Sequence, residues 1–121
     1  MKSGRLDFIR KEFPVVETTK DYREILKDKG INAVVIATPV TTHREIAEEA
    51  MFLGKHVFVE KPLALSIEEA ESMVYTSGKL EKKLAVGHVF QFAPAVMKIK
   101  ELLKKKIIGK VLHITSTRIN L

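Results

Sequence analysis

Two short apolar runs, at residues 33–37 and His56–Val59, constrain the fold of this chain more than any other feature. Both runs contain several β-branched residues, and the stretch between them has the apolar spacing of an amphipathic helix. A second helical pattern leads to a third apolar run at residues 84–90. Continuous apolar strands that alternate with helices are typical of parallel sheets buried on both faces. The pattern therefore predicts an α/β fold with helices flanking a parallel sheet.

The second apolar run ends in two opposite charges and a proline, Glu60-Lys61-Pro62. Pro62 has no N–H and disfavours helical geometry at Lys61, so we expect the chain to remain extended there. Ligands of open α/β sheets bind outside the carboxyl ends of the strands. A lysine in this position can bind an anion, hydrogen-bond a substrate hydroxyl or move a proton. An ordinary surface ion pair is the alternative that these residues leave open.

Capping signals predict where two of the helices begin. Thr42 is followed by Glu45, and Ser66 is followed by Glu69. Both pairs fit the capping box, in which a hydroxyl and a carboxylate satisfy free backbone amides of the first helical turn.

The last part of the chain combines a helical pattern with an alternating one. Pro94 suits the first turn of a helix, and the lysines that follow it are interpreted as the solvent face of that helix. Phosphates of a nucleic acid are a weaker alternative partner for these lysines, because no aromatic platform accompanies them. Residues 111–119 alternate in polarity, which predicts a final strand with one less buried face.

The composition excludes several kinds of site and partner. There is no cysteine, which excludes disulfides, thiolate metal sites and cysteine nucleophiles, and the four histidines lack metal-ligand spacing. No apolar run approaches the ~20 residues of a membrane helix, and the N-terminus lacks the apolar core of a signal peptide. We therefore expect a cytoplasmic protein without a membrane partner. The net charge of +6 suits phosphate-bearing ligands without indicating nucleic acid.

Several motifs resemble those of the Gfo/Idh/MocA oxidoreductases, which include glucose–fructose oxidoreductase and inositol dehydrogenase. They occur in the family's order over nearly the whole chain. The motifs are Thr38-Pro39 with His43 four residues on, Gly54-Lys55-His56-Val57, Glu60-Lys61-Pro62-Leu63-Ala64, and Gly87-His88-Val89-Phe90-Gln91-Phe92-Ala93-Pro94. The resemblance implies a Rossmann-like fold and an NAD(P)-dependent dehydrogenase that transfers hydride from a sugar, sugar nucleotide or polyol.

The resemblance also implies site residues. It implies that NAD or NADP is bound by Thr38, Pro39, His43, Glu60 and Lys61. It further implies that Lys61 is catalytic and that Gln91 binds substrate. Lys61 can polarise or help deprotonate the reacting hydroxyl while hydride leaves for the nicotinamide. From the residues alone, His43 could instead make a local hydrogen bond, and Glu60 could instead pair with a nearby cation.

The chain also departs from the family pattern. The family begins with a strand, a G-x-G-x-x-G turn and a helix that receives the pyrophosphate, whereas the six glycines here are scattered singly. Gln91 stands where many relatives have arginine, and the family's aspartate and histidine would lie downstream. We therefore expect a chain truncated at both ends. Residues 1–90 would be an incomplete Rossmann-like domain, and residues 91–121 the connecting helix and first strand of an α+β substrate domain.

Two functional hypotheses remain. The chain is either a segment of a working oxidoreductase that is inactive in isolation, or a non-catalytic remnant that acts as a folded interaction module. In both cases an uncovered sheet leaves an unpaired edge and apolar surface, which predicts a homo-oligomer.

Overall fold

The computed structural model describes residues 3–117 and 119. Two compact units make up the chain, the first ending at Gly87 and the second beginning at His88. The helices of the described residues are α1 (Ser3–Glu12), α2 (Tyr22–Lys27), α3 (His43–Phe52), α4 (Ile67–Lys79) and α5 (Pro94–Lys104). The strands are β1 (Ala33–Ile36), β2 (His56–Val59) and β3 (Leu84–Val86), and there are short 3₁₀ turns at Val40–Thr42 and Val89–Phe92.

The three strands form one parallel sheet in the order β1-β2-β3. Val34 lies opposite Val57, and Val57 lies opposite Leu84. Each connection runs through a helix, α3 after β1 and α4 after β2. The predicted α/β architecture is therefore confirmed.

The core lies on one face of this sheet. It consists of Leu26, Ile36, Ala47, Ala50, Met51, Val57, Val59 and Met73. The strand residues that point the other way are exposed, with Val35 at 73% and its neighbour in the register, Phe58, at 37%. The prediction of strands buried on both faces is therefore wrong for these residues. The helices that follow β1 and β2 supply core residues on one face, and Val35 and Phe58 on the other face remain open to solvent.

The start of α4 follows the predicted capping pattern in part. Ser66 Oγ accepts a hydrogen bond from Glu69 N at 3.2 Å. The Glu69 carboxylate accepts from Leu65 N at 3.1 Å, one residue before the position that a capping box requires.

The capping box predicted at Thr42 is not formed. The chain enters α3 through the 3₁₀ turn Val40–Thr42, and the Thr42 side chain makes no cap hydrogen bond. Its hydroxyl donates instead to Pro39 O at 2.8 Å. The turn thus uses the hydroxyl that the sequence pattern assigned to the helix.

Two strand predictions are corrected near the C-terminal end. The run at 84–90 forms a strand only over Leu84–Val86, because Val89–Phe92 turns as a 3₁₀ helix. Residues 111–117 and 119 form no strand, and Arg118 lies outside the described residues. An alternating segment becomes a strand only when a neighbouring strand accepts its backbone hydrogen bonds, and 111–117 has none. The predicted helix over Pro94–Lys104 is present.

A buried lysine fixes the loop that leads into the sheet. Lys55 is 5% exposed, and its ammonium donates to Asp28 O at 2.5 Å and to Ile31 O at 2.7 Å. These carbonyls belong to the segment between α2 and β1, so Lys55 holds that segment beside the start of β2. Among residues 3–117, no helix is long and apolar enough to cross a bilayer.

Candidate functional site

The carboxyl ends of β1 and β2 lie side by side, because the strands are parallel and Ile36 is opposite Val59. The pairing continues one step further, since Glu60 N donates to Ile36 O at 2.9 Å. The Thr38–Pro39 turn and the Glu60–Lys61 pair therefore leave the sheet at the same edge. Ligands of open parallel sheets bind at this edge.

The turn after β1 is closed by its own threonines. Thr38 Oγ1 and Thr42 Oγ1 are 2.8 Å apart. Because the single hydroxyl proton of Thr42 is donated to Pro39 O, Thr38 is the donor in this pair. Thr42 N also donates to Pro39 O at 2.9 Å. The result is a tight turn in which Thr38 and Pro39 are exposed.

His43 lies beneath this turn and is 1% exposed. Its Nε2 is 2.9 Å from Thr38 O, and its Nδ1 is 3.0 Å from Pro62 O. The contact with Thr38 is the local hydrogen bond that the sequence analysis gave as an alternative for His43. The contact with Pro62 reaches the segment that follows β2. Both ring nitrogens face backbone carbonyls, so the buried imidazole presents neither of them to a ligand.

The Glu60 carboxylate is exposed and lies against the residue that follows β3. Its Oε2 accepts from Lys61 N at 3.2 Å. Its two oxygens lie over Gly87, which is buried just after β3 and whose N–H donates to Val59 O at 2.8 Å. The sequence analysis includes Gly87 in a motif and assigns it no role, although a glycine in an apolar strand pattern is a known signal of close approach by another group.

Lys61 follows at the strand end and is exposed. Among the described residues, none accepts a hydrogen bond or forms a salt bridge with its ammonium. The surface ion pair that Glu60 and Lys61 could form with each other is therefore not made. The Lys61–Pro62 peptide bond is cis.

Gln91 belongs to the second compact unit, within the 3₁₀ turn Val89–Phe92. Its backbone N–H donates to His88 O at 2.9 Å, and its carbonyl lies 3.5 Å from Lys100 Nζ. The side chain is exposed. The turn and Lys100 of α5 therefore hold its backbone, and its amide remains available.

These groups define what the edge can do chemically. An exposed carboxylate can accept hydrogen bonds from sugar hydroxyls, and an unpaired ammonium can donate to a hydroxyl oxygen or stabilise negative charge on it. The isolated glycines provide no G-x-G-x-x-G turn for a pyrophosphate. Among the described residues, no three histidine or carboxylate side chains are arranged to hold a metal ion. The described residues thus offer a carboxylate and an ammonium that can hydrogen-bond hydroxyl groups, and the sequence offers no glycine-rich turn for a pyrophosphate.

Comparison with known proteins identifies several relatives of this chain. A scyllo-inositol 2-dehydrogenase (NAD(+)) of Bacillus subtilis is 34% identical over 110 residues, which cover 91% of this chain and 32% of the relative. A myo-inositol 2-dehydrogenase of Thermotoga maritima is 31% identical over 118 residues, or 96% of this chain and 35% of the relative. The chain thus spans about a third of the length of these relatives.

A comparison with solved structures finds a protein of the same kind as these relatives. The apo scyllo-inositol dehydrogenase of Lactobacillus casei superimposes with a TM-score of 0.80 at 31% identity, covering 88% of this chain and 32% of that one. The family described as oxidoreductases with an NAD-binding Rossmann fold, Gfo/Idh/MocA, matches residues 2–88. Since this match covers well over half of the 121 residues, the chain belongs to the Gfo/Idh/MocA oxidoreductase family.

Proposed function

We propose that this chain supplies the nicotinamide side of the active site of an NAD(P)-dependent dehydrogenase that oxidises a polyol or sugar. The observation that carries the proposal is the exposed Glu60–Lys61 pair at the end of β2, directly beside the Thr38–Pro39 turn at the end of β1. The names of the inositol dehydrogenases among the relatives favour a polyol over a sugar nucleotide.

In this proposal Lys61 carries the acid–base chemistry. When bound, the nicotinamide supplies the hydride acceptor. The amine form of the Lys61 side chain would take the proton of the hydroxyl on the reacting carbon, and the resulting ammonium would hydrogen-bond that oxygen as the C–H hydride leaves for the nicotinamide. A lysine without a protein partner among the described residues is free to make this contact. The exposed amide of Gln91, in the second compact unit, is proposed separately to hydrogen-bond a substrate hydroxyl.

The remaining residues of the edge bind the cofactor. Glu60 accepts hydrogen bonds from the nicotinamide ribose, and its charge is favourable beside the oxidised, positively charged ring. Thr38 and Pro39 form the exposed wall on the β1 side. Without a glycine-rich turn to hold the pyrophosphate, the isolated chain binds dinucleotides weakly and does not turn over.

Titration of the ¹⁵N-labelled chain with NADH and with NADPH, followed by NMR, tests this proposal. We expect dissociation constants of ~1 mM or weaker, about −4 kcal/mol, with amide shifts confined to Thr38, Glu60 and Lys61. Lys61→Ala reduces these shifts, whereas Lys29→Ala, a change at an exposed lysine on the α2–β1 loop, leaves them unchanged. Shifts centred instead on the lysines of α5, or micromolar binding, would contradict the proposed arrangement.

We propose a non-catalytic, self-associating module as the second candidate function. It is favoured by the open face at Val35 and Phe58 and by β1, whose outer edge is not paired with any described strand. A cavity of about 630 Å³ adjoins β1 and is lined mainly by apolar side chains such as Ile25, Val34 and Ile46. Edge pairing between two identical chains would cover these surfaces with two-fold symmetry.

A further inference from the structure

We propose that His43 is a positioning residue that ties the turn after β1 to the segment after β2 and so fixes Lys61 relative to Thr38. His43 would hold these two segments together whether or not the chain binds a dinucleotide. Only the importance of this arrangement for catalysis rests on the proposed function. His43 begins α3 directly after the 3₁₀ turn, and its ring is among the largest fully buried side chains of the described residues.

The two contacts of the ring join segments that no regular pairing joins. Backbone pairing between β1 and β2 extends to the bond from Glu60 N to Ile36 O and is followed by the two loops. Beyond that point His43 contacts Thr38 O at 2.9 Å on one side and Pro62 O at 3.0 Å on the other. The imidazole thus continues the connection between the strand ends where the sheet has stopped.

The position of the Lys61 ammonium depends on this connection. Lys61 makes no side-chain hydrogen bond to any described residue, so its location is set by its backbone. That backbone lies between the Glu60 amide, held by β1, and the Pro62 carbonyl, held by His43. Loss of the ring contact would free one of these two anchors. Since the ring is buried, this effect would act through the backbone and not through contact with a ligand.

The chemistry of the ring distinguishes this role from simple filling of space. Both partners are carbonyl oxygens, which only accept hydrogen bonds, so each needs an N–H from the ring. A neutral imidazole satisfies one of them, and a doubly protonated ring satisfies both. An apolar side chain of similar size would pack in the same place and leave both carbonyls without a donor.

NMR of the ¹⁵N-labelled 121-residue chain tests the inference without any dinucleotide. In the unmodified chain we expect a His43 ring N–H that exchanges slowly with water, with a ring ¹⁵N shift that identifies the donating nitrogen. His43→Leu should move the Lys61 amide signal and speed hydrogen exchange at the Lys61 and Thr42 amides about five- to tenfold, as expected for the loss of about one hydrogen bond. His43→Gln, which keeps a donor, should restore part of this protection.

His56→Leu is the matched control. The His56 ring also contacts a backbone group, accepting from Lys83 N at 3.0 Å, but it does so at the amino end of β2. We expect this variant to leave the Lys61 and Thr42 amides unchanged. Equal effects of the two leucine variants at Lys61, or no rescue by His43→Gln, would overturn the inference. If His43→Leu fails to fold, a His43 ring proton that exchanges freely in the unmodified chain would overturn it as well. Failure to bind NADH affects none of these measurements.

Discussion

The Glu60 carboxylate occupies the space that a side chain at Gly87 would fill. A Cβ on residue 87 would lie 3.0 Å from Glu60 Oε2 and 3.2 Å from Glu60 Cδ. The bare backbone at the end of β3 therefore lets the carboxylate fold back over the sheet edge, where its Oε2 accepts from Lys61 N. Because the carboxylate is the end of a flexible, exposed side chain, it can be displaced without disturbing the core.

Gly87→Ala should consequently alter the site more than the fold. Gly87 does not have a left-handed φ, so its backbone accepts alanine. We expect the free energy of unfolding to change by less than about 1 kcal/mol, while the Lys61 amide signal moves as its acceptor is displaced. Denaturant unfolding and NMR measure the two effects. The control is Gly78→Ala, where a Cβ meets no atom within 4 Å and the helix should gain about 0.5–1 kcal/mol. A loss of several kcal/mol for Gly87→Ala would show that the carboxylate cannot move.

The isolated chain should show no dehydrogenase activity. It lacks a glycine-rich phosphate-binding turn, so the dinucleotide is not held long enough for hydride transfer. Absorbance of reduced nicotinamide in the presence of myo-inositol, with NAD or NADP, should rise no faster than for the Lys61→Ala variant. Steady turnover that disappears in Lys61→Ala would show that the 121 residues form a complete site.

Replacement of the buried Lys55 by methionine should destabilise the chain. The two carbonyls that accept from its ammonium, Asp28 O and Ile31 O, would lose a charged donor. We expect a loss of about 2–3 kcal/mol in the free energy of unfolding. Lys29→Met, at an exposed position, should stay within about 0.5 kcal/mol of the unmodified chain. If the two variants were equally stable, the Lys55 contacts would contribute nothing.

Tyr22 should lose its hydroxyl proton at a higher pH than an ordinary tyrosine. Its hydroxyl donates to Glu49 Oε2 at 2.7 Å, and this hydrogen bond, with burial and the Glu49 charge, raises the pKa of Tyr22 to about 12 from 10.0. Because the pKa is raised in the folded state, the stabilisation is complete below pH 10 and is lost as the pH rises through about 12. Tyrosinate absorbance should show a step near pH 12 that is missing in Tyr22→Phe and retained in Tyr75→Phe. A step that survives Tyr22→Phe would assign the late titration elsewhere.

The sequence predicted the parallel sheet because apolar runs and helical patterns depend on local spacing. Its errors have identifiable causes. The apolar character of Phe58 predicts burial, but it does not show whether another part of the chain packs over the side chain. Among the described residues, Phe58 is exposed. Thr42 was assigned to a capping box because the pattern cannot distinguish a helix cap from a 3₁₀ turn.

The position of the candidate site was predictable, whereas the contacts around it were predictable only in part. The motif placed Thr38, Glu60 and Lys61 at strand ends, and they lie there. The burial of His43 depends on contacts between segments distant in sequence, so no local pattern reveals it, and the glycine signal at Gly87 does not say which group approaches it. Whether these residues bind a cofactor stays a prediction.

The chain should self-associate through the open side of β1. Val35 is 73% exposed on this strand, whose outer edge is unpaired among the described residues, and such an edge is a template for strand addition. The net charge of +6 is modest, and at physiological salt its repulsion is screened over ~8 Å. Sedimentation velocity at micromolar concentration should therefore show a dimer. Val35→Lys places a charge on the exposed face of this strand and should yield a monomer, whereas Val74→Lys, at an exposed position of α4, should remain dimeric. A folded, monodisperse monomer of the unmodified chain would mean that this surface is stable in water without a partner.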